Sequence, residues 1–376
     1  MVSRNARRAV LVNPHQAIES WDGGIPSPGP EEVVIRVEFA GVCGTDVHLW
    51  HGEVPLPGPI VLGHEGIGMI EELGPGTTTD FAGTPVAPGD RVYWVSISPC
   101  HRCYYCTVVK DTSLCPSLFT ALFRPAQEAP SNPYTEYAWL PPRMAFYRIP
   151  ETTPSEAVIA FGCAMPTMLQ GLERLGGINF GQTVVIQGCG PVGLAATLLS
   201  HLAGAGQVIV VGAPQHRLTM ARRLGATALI NLEEDKTAEQ RLQKVLDLTD
   251  GRGADVVIEA AGAVAAFAEG LRFAGRGGRY LIVGLWSAPG TVPVEPRVLN
   301  NANVKIIGTA IYEARHLYEA IRVATQYHTQ FPLTEVVSHQ FALTETENAL
   351  RAVKDLTTIK AVIRPHQASV SSVGVG

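Results

Sequence analysis

Apolar and polar positions divide the chain into two textures. Up to about residue 155 the apolar runs are short, such as 33–39 and 91–96, and Pro and Gly cut them repeatedly. Runs bounded this way predict small strands joined by long loops. From about 180 the pattern changes. Residues 183–187 read as a strand, a Gly-rich turn follows, and 192–202 has helical texture. A second strand at 208–211 and a second helix at 216–224 continue the series, with further strands at 255–259 and 280–283. Strand–helix alternation predicts a parallel sheet with helices on both faces. Helical stretches at 315–324 and 345–353 precede a last apolar run, 361–363, and the Ser/Gly/Val-rich tail 369–376 is expected to fray.

Length adds a domain count. At 376 residues the chain exceeds the roughly 250–300 at which single cores stop growing, so two domains are expected. With 46% hydrophobic and 17% charged residues the composition is that of a soluble globular protein. The net charge of −5 gives no whole-protein reason to expect nucleic acid or membrane as a partner. No apolar run reaches the roughly 18 residues of a spanning helix. The basic start, 1–8, passes straight into a strand-like run without an apolar signal core, so a cytoplasmic protein is expected.

The seven cysteines carry the first candidate chemistry. Cys100, Cys103, Cys106 and Cys115 form C-x2-C-x2-C-x8-C. Two intervening residues let neighbouring thiolates converge on one tetrahedral ion, and a fourth cysteine closes the shell. Disulfides or four unrelated thiols are the alternatives, but such spacing in a reducing compartment favours structural zinc. A closed site of this kind braces a loop and does not catalyse.

Three further segments carry isolated candidates: Cys43-Gly44-Thr45-Asp46-Val47-His48, Gly63-His64-Glu65 and Gly162-Cys163-Ala164. Read singly, each is weak, because a lone Cys or His is more often a core side chain. The turn Gly188-Cys189-Gly190-Pro191-Val192-Gly193 follows a strand and opens a helix. In that context it predicts a dinucleotide site. Gly188 permits the tight turn, Gly190 admits the pyrophosphate, Gly193 allows helix–strand packing, and the helix N-terminus at Pro191 and Val192 faces the anion. Val283 and Gly284, after a later strand, are assigned to the same site.

An NAD site places an acid at the end of the second strand, and Gly212 stands there instead. Arg217, helped by His216, could then pair with a 2′-phosphate. The alternative is a solvated Arg217 and an NAD site that tolerates Gly212. The reading leans towards NADP over NAD.

Together these segments resemble the zinc-binding medium-chain dehydrogenase/reductase family, the zinc-dependent alcohol dehydrogenases. The pattern G-H-E-x2-G-x5-G appears as Gly63-His64-Glu65, Gly68 and Gly74, with the four-cysteine lobe between it and the dinucleotide turn. The resemblance runs on through 253–259 and 277–280 to 363–365, essentially the whole chain.

It implies an α/β protein of two domains. One is a GroES-like β-rich catalytic domain, residues 1–158 and 303–376. The other is a doubly wound, parallel-sheet Rossmann-like domain, residues 159–302. It implies two zinc ions per chain, one structural and one catalytic. Cys43, His64 and Cys163 would hold the open catalytic zinc, with Glu65 a reserve ligand or close neighbour and Asp46 orienting the imidazole.

The implied activity moves a hydride between an alcohol, or its aldehyde or ketone, and NAD(P), with the metal stabilising the alkoxide. Thr45 and His48 would relay the proton from substrate through the cofactor ribose to solvent. A homodimer or homotetramer is implied. Leu49, Trp50, Trp94 and Phe119 lie in stretches that could line the substrate pocket.

The chain departs from the family pattern in one extra residue before Cys115 and in the stretch 132–137, where a Gly-rich segment is usual. Two competing readings are a zinc-independent quinone or enoyl reductase of the same superfamily and a non-catalytic dinucleotide-binding protein. The first generally lacks the Cys43, His64, Cys163 set and the cysteine lobe. The second gives no reason to keep Thr45.

Overall fold

The structure, a computed structural model, describes residues 2–285 and 290–367, so the tail expected to fray lies outside the described residues. The chain forms two compact units. The first comprises Met1–Cys163, Glu313–His328 and Leu333–Gly376, and the second Ala164–Tyr312 and Thr329–Pro332.

The first unit is rich in short strands, as the broken apolar runs predict. A small antiparallel sheet orders Glu19–Pro26, Val2–Leu11 and Ile60–Val61. A seven-stranded sheet runs Val337–Ala342, Lys360–Arg364, Val33–Gly41, Glu65–Leu73, Arg91–Val95 and Phe146–Arg148, with Tyr137–Leu140 also paired to Val33–Gly41. Val33–Gly41 is buried along most of its length, and its two charged residues, Arg36 and Glu38, are the positions that are not buried. Residues 159–163 stay with this unit because Cys163 N–H donates to Glu65 (2.8 Å), the first residue of one of its strands.

The second unit carries the expected parallel sheet. Six strands lie in the order Ala228–Asn231, Gln207–Gly212, Thr183–Gln187, Ala254–Glu259, Ala274–Ile282 and Lys305–Gly308, every neighbouring pair parallel. The order turns about Thr183–Gln187, the doubly wound arrangement whose crevice receives dinucleotides. Lys305–Gly308 pairs with Ala274–Ile282, which keeps 303–312 in this unit.

The turn after the first strand is sterically committed. Gly188 has φ +101°, and a Cβ on Gly193 would stand 1.9 Å from Gly188 O. Only glycine fits the first conformation readily, and only glycine fits the second contact at all. Pro191 then opens the helix Pro191–Leu202, where its missing N–H costs nothing. Among the described residues no helix is long and apolar enough to cross a membrane.

Candidate functional site

The three scattered segments converge in the first unit. Cys43 precedes the helix Gly44–Trp50, His64 leads into the strand Glu65–Leu73, and Cys163 follows the helix Ser155–Ile159. One donor atom from each of Cys43, His64, Glu65 and Cys163 lies within 4.8 Å of the others. The Cys43 and Cys163 sulfurs are 3.6 Å apart. Two thiolates on a tetrahedral zinc, each at about 2.3 Å, stand about 3.8 Å apart, so the spacing fits that ion.

Asp46 ties the cluster together. Its Oδ2 accepts from Cys43 N–H (2.9 Å) and from the Tyr134 hydroxyl (3.2 Å). Its Oδ1 accepts from Gly63 N–H (3.2 Å) and stands 3.4 Å from His64 Nδ1. The His64 ring therefore has Asp46 behind it and turns Nε2 towards the thiols, with Glu65 Oε1 at 3.9 Å. A carboxylate behind a ligand imidazole fixes its orientation and raises its basicity.

Charge in the cluster is unbalanced. A hydrogen bond from Cys163 holds the Cys43 thiol well below its ordinary value, and the same bond pushes Cys163 up. Burial would lower the His64 value, but Asp46 and Cys43 carry it well above the usual imidazole range. Burial would raise Glu65, but Lys360 and His64 draw it down. Lys360 is buried with it and donates to Glu65 Oε2 (2.6 Å) and to Val42 O (3.0 Å). Asp46 and Glu65 thus lie buried beside the two thiols and the His64 imidazole, with Lys360 as the ammonium among them. Buried charge needs compensation, and a divalent cation among these donors would supply it.

The second cluster is the cysteine lobe. The donor atoms of Cys100, Cys103, Cys106 and Cys115 lie within 4.8 Å of one another. Cys103 Sγ is 3.5 Å from Cys106 Sγ and 3.9 Å from Cys115 Sγ, again the spacing of thiolates on one zinc. Cys100 N–H donates to Cys115 Sγ (3.3 Å).

Thr45 and His48 stand three apart on Gly44–Trp50, so they share a helix face. Thr45 Oγ1 lies 3.7 Å from Cys43 Sγ, and His48 Nδ1 lies 2.6 Å from Glu53 Oε2 at the surface. Leu49 and Trp50 fill one core cluster and Trp94 another, which makes them packing side chains, whereas Phe119 is half-buried.

In the second unit Gly190 keeps open space: a Cβ there would meet nothing nearer than Arg217 Nη1 at 3.9 Å. Arg217 is 6% exposed, its value lowered by burial. The solvated alternative for Arg217 does not describe it. Gly212 ends its strand against the Cys189 thiol, and that thiol donates to Ala213 O (3.2 Å). No Asp or Glu occurs between 207 and 217.

Val283 is buried, and Gly284 N–H donates to Glu259 Oε2 (3.0 Å). Glu259 Oε1 accepts from Ala261 N–H (2.9 Å) and Gly262 N–H (2.8 Å). One buried carboxylate therefore fixes the two loops after Ala254–Glu259 and Ala274–Ile282. Residue patterns alone do not single out Glu259, Lys360, Tyr134 or Glu53. The only signal for Glu259 is an acid ending an otherwise apolar strand run.

Comparison with known proteins follows the same lines. Residues 29–151 match the alcohol dehydrogenase GroES-like domain, and 191–326 match the zinc-binding dehydrogenase family. The chain is 45% identical to 5-exo-hydroxycamphor dehydrogenase of Pseudomonas putida over 95% of this chain and 98% of that one. It is 30% identical to L-threonine 3-dehydrogenase of Bacillus subtilis, covering 91% and 93%.

Among solved structures, an alcohol dehydrogenase from Thermotoga maritima superposes with TM-score 0.87 at 29% identity, covering 97% and 100% of the two chains. A Sinorhizobium meliloti 1021 structure, described as a zinc-binding dehydrogenase bound to NADP, superposes with TM-score 0.82 at 27% identity, covering 96% and 100%. The chain belongs to the zinc-dependent medium-chain dehydrogenase/reductase family: it is an oxidoreductase that moves a hydride between a small-molecule alcohol, or its aldehyde or ketone, and a nicotinamide dinucleotide.

Proposed function

We propose that this enzyme oxidises a bulky cyclic secondary alcohol, or reduces the matching ketone, with two zinc ions per chain and NADP as the preferred cofactor. The observation that carries the reading is the convergence of Cys43, His64 and Cys163 beside the buried carboxylates of Asp46 and Glu65. The substrate class is supported by the name of the relative at 45% identity, whose hydroxycamphor is a secondary alcohol on a bicyclic skeleton.

Cys43, His64 and Cys163 would hold the catalytic ion, and Cys100, Cys103, Cys106 and Cys115 the structural one. Bound zinc supplies Lewis-acid polarisation of the substrate oxygen, and the nicotinamide supplies the hydride acceptor. Lys360 and the Cys163 N–H occupy both oxygens of Glu65 and hold it as a neighbour of the donor set. Asp46 orients His64. Thr45 would accept the hydrogen bond of the substrate hydroxyl while passing its own proton on, and His48 would give a proton to solvent.

Gly188, Gly190, Pro191, Val192, Gly193, Val283 and Gly284 would line the dinucleotide site, with Gly212 and Arg217 at the 2′ position. NADP is supported by the missing carboxylate at Gly212 and by the relative bound to NADP. A homodimer or homotetramer in the cytoplasm is the expected setting, the latter supported by cysteines spaced for metal.

The test is turnover of bicyclic secondary alcohols by zinc-loaded enzyme with NADP and NAD in turn. Expected are faster turnover with NADP at low cofactor concentration and loss of turnover in Thr45→Val. Full activity of Cys43→Ser lacking its zinc would overturn the assignment of the metal site.

A further inference from the structure

We infer that Glu53 is a positioning residue for proton exit, fixing the tautomer of His48 and the orientation of its ring; this rests on the relay reading of His48 above.

Glu53 lies just beyond the helix Gly44–Trp50, at the end of the turn 51–53. Its backbone N–H donates to His48 O (3.0 Å), which brings its side chain back over the last helical turn. There its Oε2 stands 2.6 Å from His48 Nδ1, and the two side chains are 38% and 39% exposed. A carboxylate accepts and cannot donate, so Nδ1 carries the hydrogen and Nε2 is left as the acceptor. Nε2 is the nitrogen nearest the space beside Gly44, at 3.9 Å from where a Cβ would be. It therefore points back along the helix towards the end that carries Thr45 and Cys43.

The proton count closes without a further reactant. Nε2 gains the proton released on alcohol oxidation, Nδ1 keeps its own in the bond to Glu53, and the imidazolium then loses the Nε2 proton to bulk water. Glu53 is never protonated. Burial lowers His51, Lys354, His15 and His48 act in the same direction, and Glu53 acts against them. The His15 and His51 rings meet edge-on at 5.8 Å. Glu53 is the carboxylate among the groups that act on His51.

The experiment compares Glu53→Gln, Glu53→Asp, His48→Gln and the double variant Glu53→Gln/His48→Gln in the zinc-loaded enzyme. Glu53→Gln is expected to lower kcat for alcohol oxidation about tenfold with KM for the alcohol unchanged. Glu53→Asp should recover part of the loss, and the double variant should be no slower than His48→Gln alone. Nitrogen-15 spectra of histidine-labelled protein should show His48 protonated on Nδ1 in the wild type and moved towards the Nε2-protonated form in Glu53→Gln. A loss in His48→Gln with wild-type turnover in Glu53→Gln overturns the role of Glu53. The same factor lost in both backgrounds also overturns it, as does an unmoved tautomer. Wild-type turnover in His48→Gln overturns the relay reading itself.

Discussion

Lys360 Nζ stands 2.6 Å from Glu65 Oε2 in a fully buried pair that spans 295 residues of sequence. The same ammonium donates to Val42 O (3.0 Å), next to Cys43, and the other oxygen of Glu65 accepts from Cys163 N–H (2.8 Å). Glu65 itself follows His64. One ion pair therefore touches the backbone of each segment that carries a candidate metal donor.

Removing one partner should be far worse than removing both. Lys360→Met leaves a buried, uncompensated carboxylate, an effect of about 3–5 kcal/mol. Lys360→Met/Glu65→Gln should recover most of that loss, as read by urea unfolding of the zinc-loaded protein. Equal stability of the single and double variants would show that the pair is not coupled. The pH dependence has a definite sign. Glu65 is held below its ordinary value, so its contribution is full above the carboxylate range and is lost as pH falls through the folded value. Lys360 is held above its ordinary value, so its contribution is full below that value and is lost as pH rises through the folded one.

The cysteine lobe should lose its ion independently. Cys103→Ser removes a donor that stands 3.5 Å and 3.9 Å from two others, and a three-donor remnant holds zinc weakly. Metal analysis should fall from two zinc ions per chain to one, and Tm should drop by several degrees. Retention of both ions at an unchanged Tm would rule out a structural zinc in the lobe.

Much of this was legible in the residues because its causes are local. The turn 188–193 works through backbone sterics, and the C-x2-C-x2-C spacing works through chain geometry, so both appear as short motifs. Lys360 could not be found that way. It lies in the last strand of the first unit, and only pairing of Lys360–Arg364 with Val33–Gly41 brings it to Glu65. Tyr134 is hidden for the same reason, reaching Asp46 across 88 residues. Trp94 shows the opposite error: an aromatic near the lobe invites a pocket role, yet it is fully buried with its indole N–H donating to Ser131 O (2.8 Å).

Cys189 should be chemically silent in the folded protein. Burial pushes its thiol up to about 11, so at pH 8 only about one molecule in a thousand carries the thiolate that reacts. Mass spectrometry after brief iodoacetamide treatment should find Cys189 unmodified until the chain is unfolded. Rapid native labelling at Cys189 would place it in a more open environment than the one beside Gly212.

Arg217 offers the sharpest division between the two cofactors. Arg217 is 6% exposed, and its guanidinium lies beside Gly190, where the turn leaves open space. Burial lowers its value, and a guanidinium there is placed to form a charge-assisted pair with a phosphate. NADPH and NADH differ only by the 2′-phosphate, so the arginine's contribution appears as a difference between two titrations. A charge-assisted pair contributes about 1.5–3 kcal/mol, which is roughly 10- to 150-fold in affinity. Arg217→Ala should therefore weaken NADPH by about that factor and leave NADH within about twofold, as followed by nicotinamide fluorescence. Equal weakening of both would make Arg217 a support for the turn. Tighter NADH than NADPH in the wild type would mean that the site tolerates Gly212 while preferring the ribose hydroxyl.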